Sequence, residues 1–332
     1  MSTVEEIRVG VIGTGFGQKV VARAFEATDG CSVTDVVSPR DAEAVRQLCG
    51  RSDLDLVSVH SPPFMHMEHV RLALEAGHSV LCDKPFGCDS IEARAMRDLA
   101  AAAGTAHLIN FEMRYDGTRQ RIRRLVLEGA VGRPEHVVVS AHLALSRQPL
   151  RSYGWLFDAD RGGGWIGAWG SHLIDFLRWT FGEMIESSAV ARTAVAERPD
   201  ADGHLHRCSA EDGFTASLRT KSGVTVCIDS SFAASVNTGS YLAVFGSDGA
   251  LEVAGEQDLV LRRPDGSEEV VAVEGSGIGA SMRTMAAVAR DSVRTAAVPA
   301  DAPTFDDGLA CRIVMDALLG RSGLGPLDSE YI

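Results

Sequence analysis

Ile7-Arg-Val-Gly-Val-Ile-Gly13-Thr-Gly15-Phe-Gly17-Gln18 is the stretch that decides the fold. A β-rich run of apolar residues stops on glycine, and the glycine-spaced loop opens directly into Gln18–Thr28, a segment fit for a helix. Strand, glycine loop and helix in that order make the first turn of a dinucleotide-binding unit. Glycines let the backbone approach a pyrophosphate, and the helix N-terminus turns free amides and a positive dipole end toward it. Gly13, Thr14, Gly15, Phe16 and Gly17 are therefore the expected cofactor loop. The third fingerprint position holds Gln18, with glycine one place early at Gly17, so a plain tight turn is the competing reading.

The rhythm continues outward from that loop. Short β-branched runs at Val33–Val37, Leu54–Val59, Ser79–Cys82 and Ala106–Asn110 alternate with helix-forming runs at Ala42–Leu48, His66–Ala76 and the segment ending at Ala103. Asp89 and Glu92 have capping-box spacing before the last of these, and Gly77 and Gly104 stand where helices stop. Apolar strands alternating with helices predict a doubly wound parallel sheet of Rossmann type over residues 1–118. Beyond a helix at Thr118–Glu128 the pattern changes. Alternating stretches at His136–Leu145, Phe214–Arg219, Val224–Ser230, Tyr241–Phe245, Asp258–Arg262 and Glu268–Val273 are punctuated by Lys221-Ser-Gly, Ser247-Asp-Gly and Pro264-Asp-Gly. They predict a second, largely antiparallel α/β domain over 119–332, closed by helices at Ser281–Ala297 and Phe305–Leu319.

A chain of 332 residues exceeds what one core usually holds, which agrees with two domains. Its net charge of −13 opposes a nucleic-acid or anionic-membrane partner. No apolar run approaches the roughly 18 residues of a membrane span. The opening MSTVEEIRVG does not read as a signal peptide. Seven scattered cysteines without a C-x-x-C fit a reducing cytoplasm better than a disulfide framework.

Four further signals carry chemistry. At the tip of the second strand, Ser38-Pro-Arg40 suits a ribose 2′-phosphate, because a guanidinium forms charge-assisted bonds to phosphate. This favours NADP(H). Asp35 stands 20 residues past Gly15, the spacing of an NAD ribose carboxylate, and keeps NAD as the alternative. Lys84 in Asp83-Lys-Pro85 follows the fourth strand, at the end of the sheet where ligands bind. Pro62 and Pro63 end the third strand beside that crevice. His172 and Asp175 follow the run Gly162-Gly-Gly164, three apart on one helical face. Histidine is the natural proton carrier near neutral pH. Asn110 and Trp169 are second-tier substrate contacts, the tryptophan competing with a core role. His60, His66 and His69 resemble a metal cluster, yet no cysteine or carboxylate pair completes the set, and no metal is expected.

Taken together, GTGFG, Pro62-Pro63, DKP and GGG…GSHLID resemble the Gfo/Idh/MocA oxidoreductases, the glucose-fructose oxidoreductase and inositol dehydrogenase group, over essentially the whole chain. The resemblance implies an open second sheet, a bound nicotinamide nucleotide, and hydride transfer at a carbonyl or alcohol carbon of a sugar, cyclitol or related small molecule. It also implies a homodimer or homotetramer joined through that open sheet. By position it makes Lys84 and His172 the proton-transfer pair, with Asp175 placed to orient the histidine. Three departures stand out. Asp83 replaces the family's glutamate; Ala168 stands where a carboxylate would precede His172; and the chain between Arg40 and Leu54 lacks one helix–strand unit. The missing carboxylate keeps two other functions open: a glycosidase or lyase that recycles its nucleotide without net redox, and a catalytically silent nucleotide-binding protein.

Overall fold

The computed structural model describes residues 6–255 and 258–321. The opening residues Met1–Glu5, read above as no signal peptide, and the end of the second expected domain lie outside the described residues. The chain forms two compact units. The first is built on β1 (Ile7–Ile12), β2 (Cys31–Val37), β3 (Leu56–Val59), β4 (Ser79–Cys82) and β5 (His107–Ile109), all parallel, in the order β2-β1-β3-β4-β5. The helix after β1 opens in wide π-type turns at Gly17–Ala22 and continues as α1 (Arg23–Glu26). It packs Val21 and Phe25 onto Val9 and Val11. On the other face lie α2 (Ala42–Cys49), α3 (His66–Glu75) and α4 (Ser90–Ala103). The Asp41 and Asp89 side chains accept hydrogen bonds from Ala44 N and Glu92 N, capping α2 and α4. Order β2-β1-β3 places the reversal of winding between β1 and β3, the point where such sheets bind ligands. Among the described residues no strand pairs beyond β2, in keeping with the short Arg40–Leu54 connection.

The second unit begins with α5 (Gly117–Leu127) and β6 (Pro134–His142), and carries α6 (Ser171–Phe181). Its other strands are β7 (Met184–Arg192), a small ribbon of β8 (Glu197–Pro199) and β9 (Leu205–Arg207), then β10 (Gly213–Thr220), β11 (Thr225–Ser231), β12 (Gly239–Gly246), β13 (Gly249–Ala254), β14 (Leu259–Arg262) and β15 (Glu268–Val271). Eight of them form one sheet, β15-β14-β13-β12-β6-β11-β10-β7, antiparallel except where β6 meets β11. The three expected turns close the β10–β11, β12–β13 and β14–β15 hairpins. One face is apolar and buried, through Phe214, Leu218, Val226, Ile228, Val137, Val139, Val244 and Leu251. The other exposes Val190, Phe245 and Val270 among polar neighbours.

The expected second domain, continuous over 119–332, is not what the chain forms. Gly277–Arg312 groups with the first unit. Within it, α7 (Ile278–Thr295) drives Met282, Met285, Ala286 and Ala289 into the core formed by Val9, Val11, Phe25 and Leu56. Thr304, just before α8 (Phe305–Leu318), bridges Leu108 of β5. The parallel sheet needs cover on both faces, and the short helix after β1 cannot cover one alone, so the chain returns to supply it.

Candidate active site

The glycine loop continues β1. Gly13 has φ +148°, and its N donates to Val37 O at 2.9 Å. A Cβ on Gly13 would lie 2.7 Å from the His60 carbonyl oxygen. A Cβ on Gly17 would lie 2.9 Å from His60 Cβ. Gly17 therefore provides the close helix–strand approach that the usual third glycine supplies one residue later, and Gln18 is exposed. Thr14 and Gly15 face solvent, and nothing stands within 4 Å of a Cβ on Gly15. The loop thus leaves an open cradle at a helix N-terminus, which fits a pyrophosphate.

At the tip of β2, Ser38 Oγ accepts from Arg40 N at 3.3 Å, and the Arg40 side chain is exposed. Asp35 lies on the face of Gly10, its register partner, and pairs with Arg51. The carboxylate with the expected NAD spacing is thus two residues short of the tip and already engaged.

The ends of β3, β4 and β5 carry a dense polar group. His60 N donates to Ile12 O at 2.8 Å and Asp83 N to Val59 O at 2.8 Å. The buried His60 ring places Nε2 2.7 Å from Ser58 Oγ and Nδ1 3.2 Å from Asp83 Oδ2. The Nδ1 contact is close enough for charge but poorly aligned for a hydrogen bond. Asp83 Oδ1 accepts from Lys84 N at 2.9 Å and from Asn110 Nδ2 at 3.3 Å. Burial alone would raise the Asp83 carboxyl, but His60 and the Lys84 charge hold it below its usual range. Lys84 is half-buried, Pro62 half-buried and Pro63 buried at the start of a single 3-10 turn, Pro63–Met65. Asn110 is fully buried behind Asp83, which makes it a support for this corner.

The three histidines that suggested a cluster each bind protein atoms. Besides His60, His66 Nε2 meets Ser61 O at 2.7 Å and His69 Nδ1 meets Ser61 Oγ at 3.0 Å. Burial pushes both His66 and His69 down to about 4, so both are neutral.

In the second unit the glycine run proves to be packed, not loose. Cβ atoms on Gly163 and Gly164 would lie 2.3 Å from Trp155 O and Glu211 Oε1. Glu211, buried and not singled out in the sequence, accepts from Ile166 N at 2.9 Å and so caps the helix start. That helix opens in π-type turns at Ile166–Gly170 and becomes α6. Ala168 is half-buried one turn before His172; His172 and Asp175 are buried on α6, as their spacing required. Arg119 Nη1 donates to His172 O at 3.0 Å. Trp169 is half-buried, stacked on Trp165 at 5.7 Å between ring centres. Trp165 in turn stacks on Phe232 at 4.5 Å and donates to Ser230 Oγ at 2.8 Å.

Comparison with known proteins agrees with the two-part fold. Residues 7–111 match the oxidoreductase family with an NAD-binding Rossmann fold, and residues 119–252 match the GFO/IDH/MocA C-terminal domain. An uncharacterized oxidoreductase of Synechocystis is 29% identical over 276 residues, covering 78% of this chain and 74% of that protein. D-apiose dehydrogenase of Paraburkholderia graminis is 25% identical over 295 residues, covering 82% and 74%. The fold matches a levoglucosan dehydrogenase solved with NADH at a TM-score of 0.86, with 21% identity, over 95% of this chain and 96% of that one. Both halves of the match, joined to a glycine cradle after β1, a lysine corner after β4 and a histidine helix, make the chain a member of the Gfo/Idh/MocA oxidoreductase family.

Proposed function

We propose that the chain moves a hydride between a nicotinamide nucleotide and a CH–OH or C=O carbon of a sugar, cyclitol or related polyol. The observation that carries this is Lys84 at the end of β4, on the same end of the parallel sheet as a glycine cradle open to solvent at Gly15. The names of the relatives support the substrate class: D-apiose, levoglucosan and inositol dehydrogenases share the family. Gly13 to Gly17 would hold the pyrophosphate, with Pro62, Pro63 and Lys84 lining the nicotinamide end. The nucleotide supplies the hydride chemistry when bound. The chain's own work is to hold the substrate and move one proton at its reacting oxygen. Lys84 and His172 are the groups for that proton, and Asp175 orients the histidine. Trp169 offers a ring face of the kind that stacks on the apolar side of a sugar.

The cofactor reading favours NADP(H). Arg40 is an exposed guanidinium at the β2 tip, and Asp35 is tied to Arg51. Assembly as a homodimer or homotetramer is part of the proposal, through the exposed sheet face bearing Val190, Phe245 and Val270. A cytoplasmic setting fits seven cysteines none of which is joined in a disulfide. Ala168 gives the recycling glycosidase a specific claim as a second reading, since a relay without that carboxylate differs from the usual one.

Fluorescence titration of nucleotide-free protein with NADPH and NADH, then a polyol panel followed at the nicotinamide absorbance, tests the proposal. Tighter NADPH binding and turnover of a polyol are expected. Absence of binding by either nucleotide overturns the cofactor reading. Release of the aryl alcohol from aryl glycosides, dependent on bound nucleotide and without net absorbance change, moves the assignment to the second reading.

A further inference from the structure

We infer that His60 is a positioning residue: it ties the glycine cradle to the Asp83–Lys84 corner and sets how strongly Asp83 acts on the lysine. The inference rests on Lys84 being a working group of the proposed reaction. Three observations on one residue carry it. First, His60 is the floor of the cradle. Gly13 and Gly17 both owe their lack of a side chain to its backbone and Cβ atoms, at 2.7 and 2.9 Å, and Phe16 sits tilted beside its ring at 6.2 Å between centres. Second, its ring is buried between two polar groups, Ser58 Oγ at 2.7 Å and Asp83 Oδ2 at 3.2 Å. Nδ1 thus faces the carboxylate as a close polar neighbour, and Nε2 pairs with the serine hydroxyl. Third, the other Asp83 oxygen holds the Lys84 amide at 2.9 Å. Movement at the cradle therefore reaches the lysine backbone through two contacts.

The serine, histidine and aspartate resemble a nucleophilic triad, but Ser58 is fully buried, and no substrate meets its oxygen. The arrangement instead shares out the Asp83 charge. The groups that face it are His60 from the end of β3, Lys84 from its own strand end, Asn110 from the end of β5 and His66 from α3. His66 is neutral by burial and Asn110 carries no charge, so His60 and Lys84 divide the carboxylate between them. Without the imidazole the carboxylate turns to the ammonium alone. An opposite charge within reach favours the charged amine.

The test compares His60→Leu, His60→Asn and Ser58→Ala in the full chain. The first readout needs no substrate: the rate at which an amine reagent labels Lys84 at fixed pH, followed by peptide mass spectrometry. His60→Leu is expected to slow labelling several-fold, and His60→Asn, whose amide still reaches Asp83, to restore most of it. Ser58→Ala, the least disruptive change, is expected to slow it slightly. The second readout is turnover of a substrate found in the polyol panel. There His60→Leu lowers kcat by about ten- to a hundredfold, the cost of a misplaced catalytic group, while substrate KM stays within about threefold. If His60→Leu does not fold, His60→Ala, which also removes the imidazole from Asp83, decides the question by the same labelling readout and is expected to slow it several-fold. Wild-type Lys84 labelling in every folded variant overturns the inference. If the panel yields no substrate, the proposed reaction fails while labelling still judges the His60 link.

Discussion

Alanine at Gly13 and alanine at Gly15 should have opposite consequences, two residues apart in one loop. At Gly13 the backbone sits at φ +148°, and the new methyl would meet the His60 carbonyl at 2.7 Å. A side chain in so rare a conformation costs about 1–3 kcal/mol. Forcing a methyl against backbone costs about 1–3 kcal/mol more. For a unit of this size, each kcal/mol moves the melting point by about 2–4 °C. Gly13→Ala should therefore melt about 4–24 °C lower and bind nucleotide poorly. At Gly15 nothing lies within 4 Å of the new methyl and the residue faces solvent, so stability should stay within about 0.5 kcal/mol of wild type. Yet that methyl would occupy the surface where a pyrophosphate must approach, and NADPH should bind at least about tenfold more weakly, a loss of about 1.4 kcal/mol. Scanning fluorimetry of nucleotide-free protein and fluorescence titration read the two effects separately. Wild-type NADPH affinity in Gly15→Ala would refute the cradle, and an unchanged melting point in Gly13→Ala would refute the packing beneath it.

Three other outcomes follow from the same geometry. Arg40→Ala should weaken NADPH binding about ten- to a hundredfold, the worth of hydrogen bonds to a charged group, and leave NADH unchanged; equal losses for both nucleotides in titration would count against a 2′-phosphate contact. Lys84→Ala should abolish polyol turnover while nucleotide Kd stays near wild type, and retained turnover would remove the lysine from the proton path. His66 and His69 are held at about 4, below the ordinary histidine value near 6.5, so the unfolded chain binds more protons between those limits and stability falls as pH drops through that window. For His66 alone the loss at pH 5 is about 2 kcal/mol, and urea unfolding at pH 7 and pH 5, in wild type and His66→Asn, should show the slope reduced in the variant.

Much of the first unit was legible because its signals are local. A continuous apolar strand stopped by glycine, as at Ile7–Gly13, can be read without knowing its neighbours. The same holds for Asp89 and Glu92 at the start of α4. The second sheet was legible only where one face is buried. Phe214, Ala216 and Leu218 alternate with exposed Thr215, Ser217 and Arg219, and β10 was expected where it lies. β7 is an edge strand with almost every residue beyond Met184 at least partly exposed, so it carries no alternation to detect. Return of α7 to the first unit depends on which sheet face lacks cover, a property of the assembled fold. At the site, motif spacing pointed to the loop, Lys84 and His172, but not to what supports them. His60 looked like an unused metal ligand, because nothing linear in the chain places it under Gly13 and Gly17 or beside Asp83. The crowding of the run Gly162–Gly164 was hidden for the same reason: Glu211 and the Trp155 carbonyl that press on it are distant in sequence or invisible to a reading of side chains.

The shortened sheet bears directly on cofactor choice. With no strand paired beyond β2 among the described residues, the proposed nucleotide would meet the β2 tip and the turn that follows it at its adenosine end. Asp35 has the right distance from Gly15 in sequence but the wrong place in the strand. It shares a face with Gly10, whose absent side chain leaves room for Leu48 and Leu54 on the α2 side, and Arg51 reaches it from just past α2. Side chains on one strand alternate between faces, so a carboxylate fixed toward the α2 side cannot also stand at the tip. Asp35→Asn should then remove an exposed ion pair worth under about 1 kcal/mol and change neither NADH nor NADPH affinity by more than about twofold. A selective loss of NADH binding in Asp35→Asn would mean that the carboxylate reaches the ribose after all. The guanidinium of Arg40 would then be a solvated charge, and the preference for NADP(H) would have no remaining support.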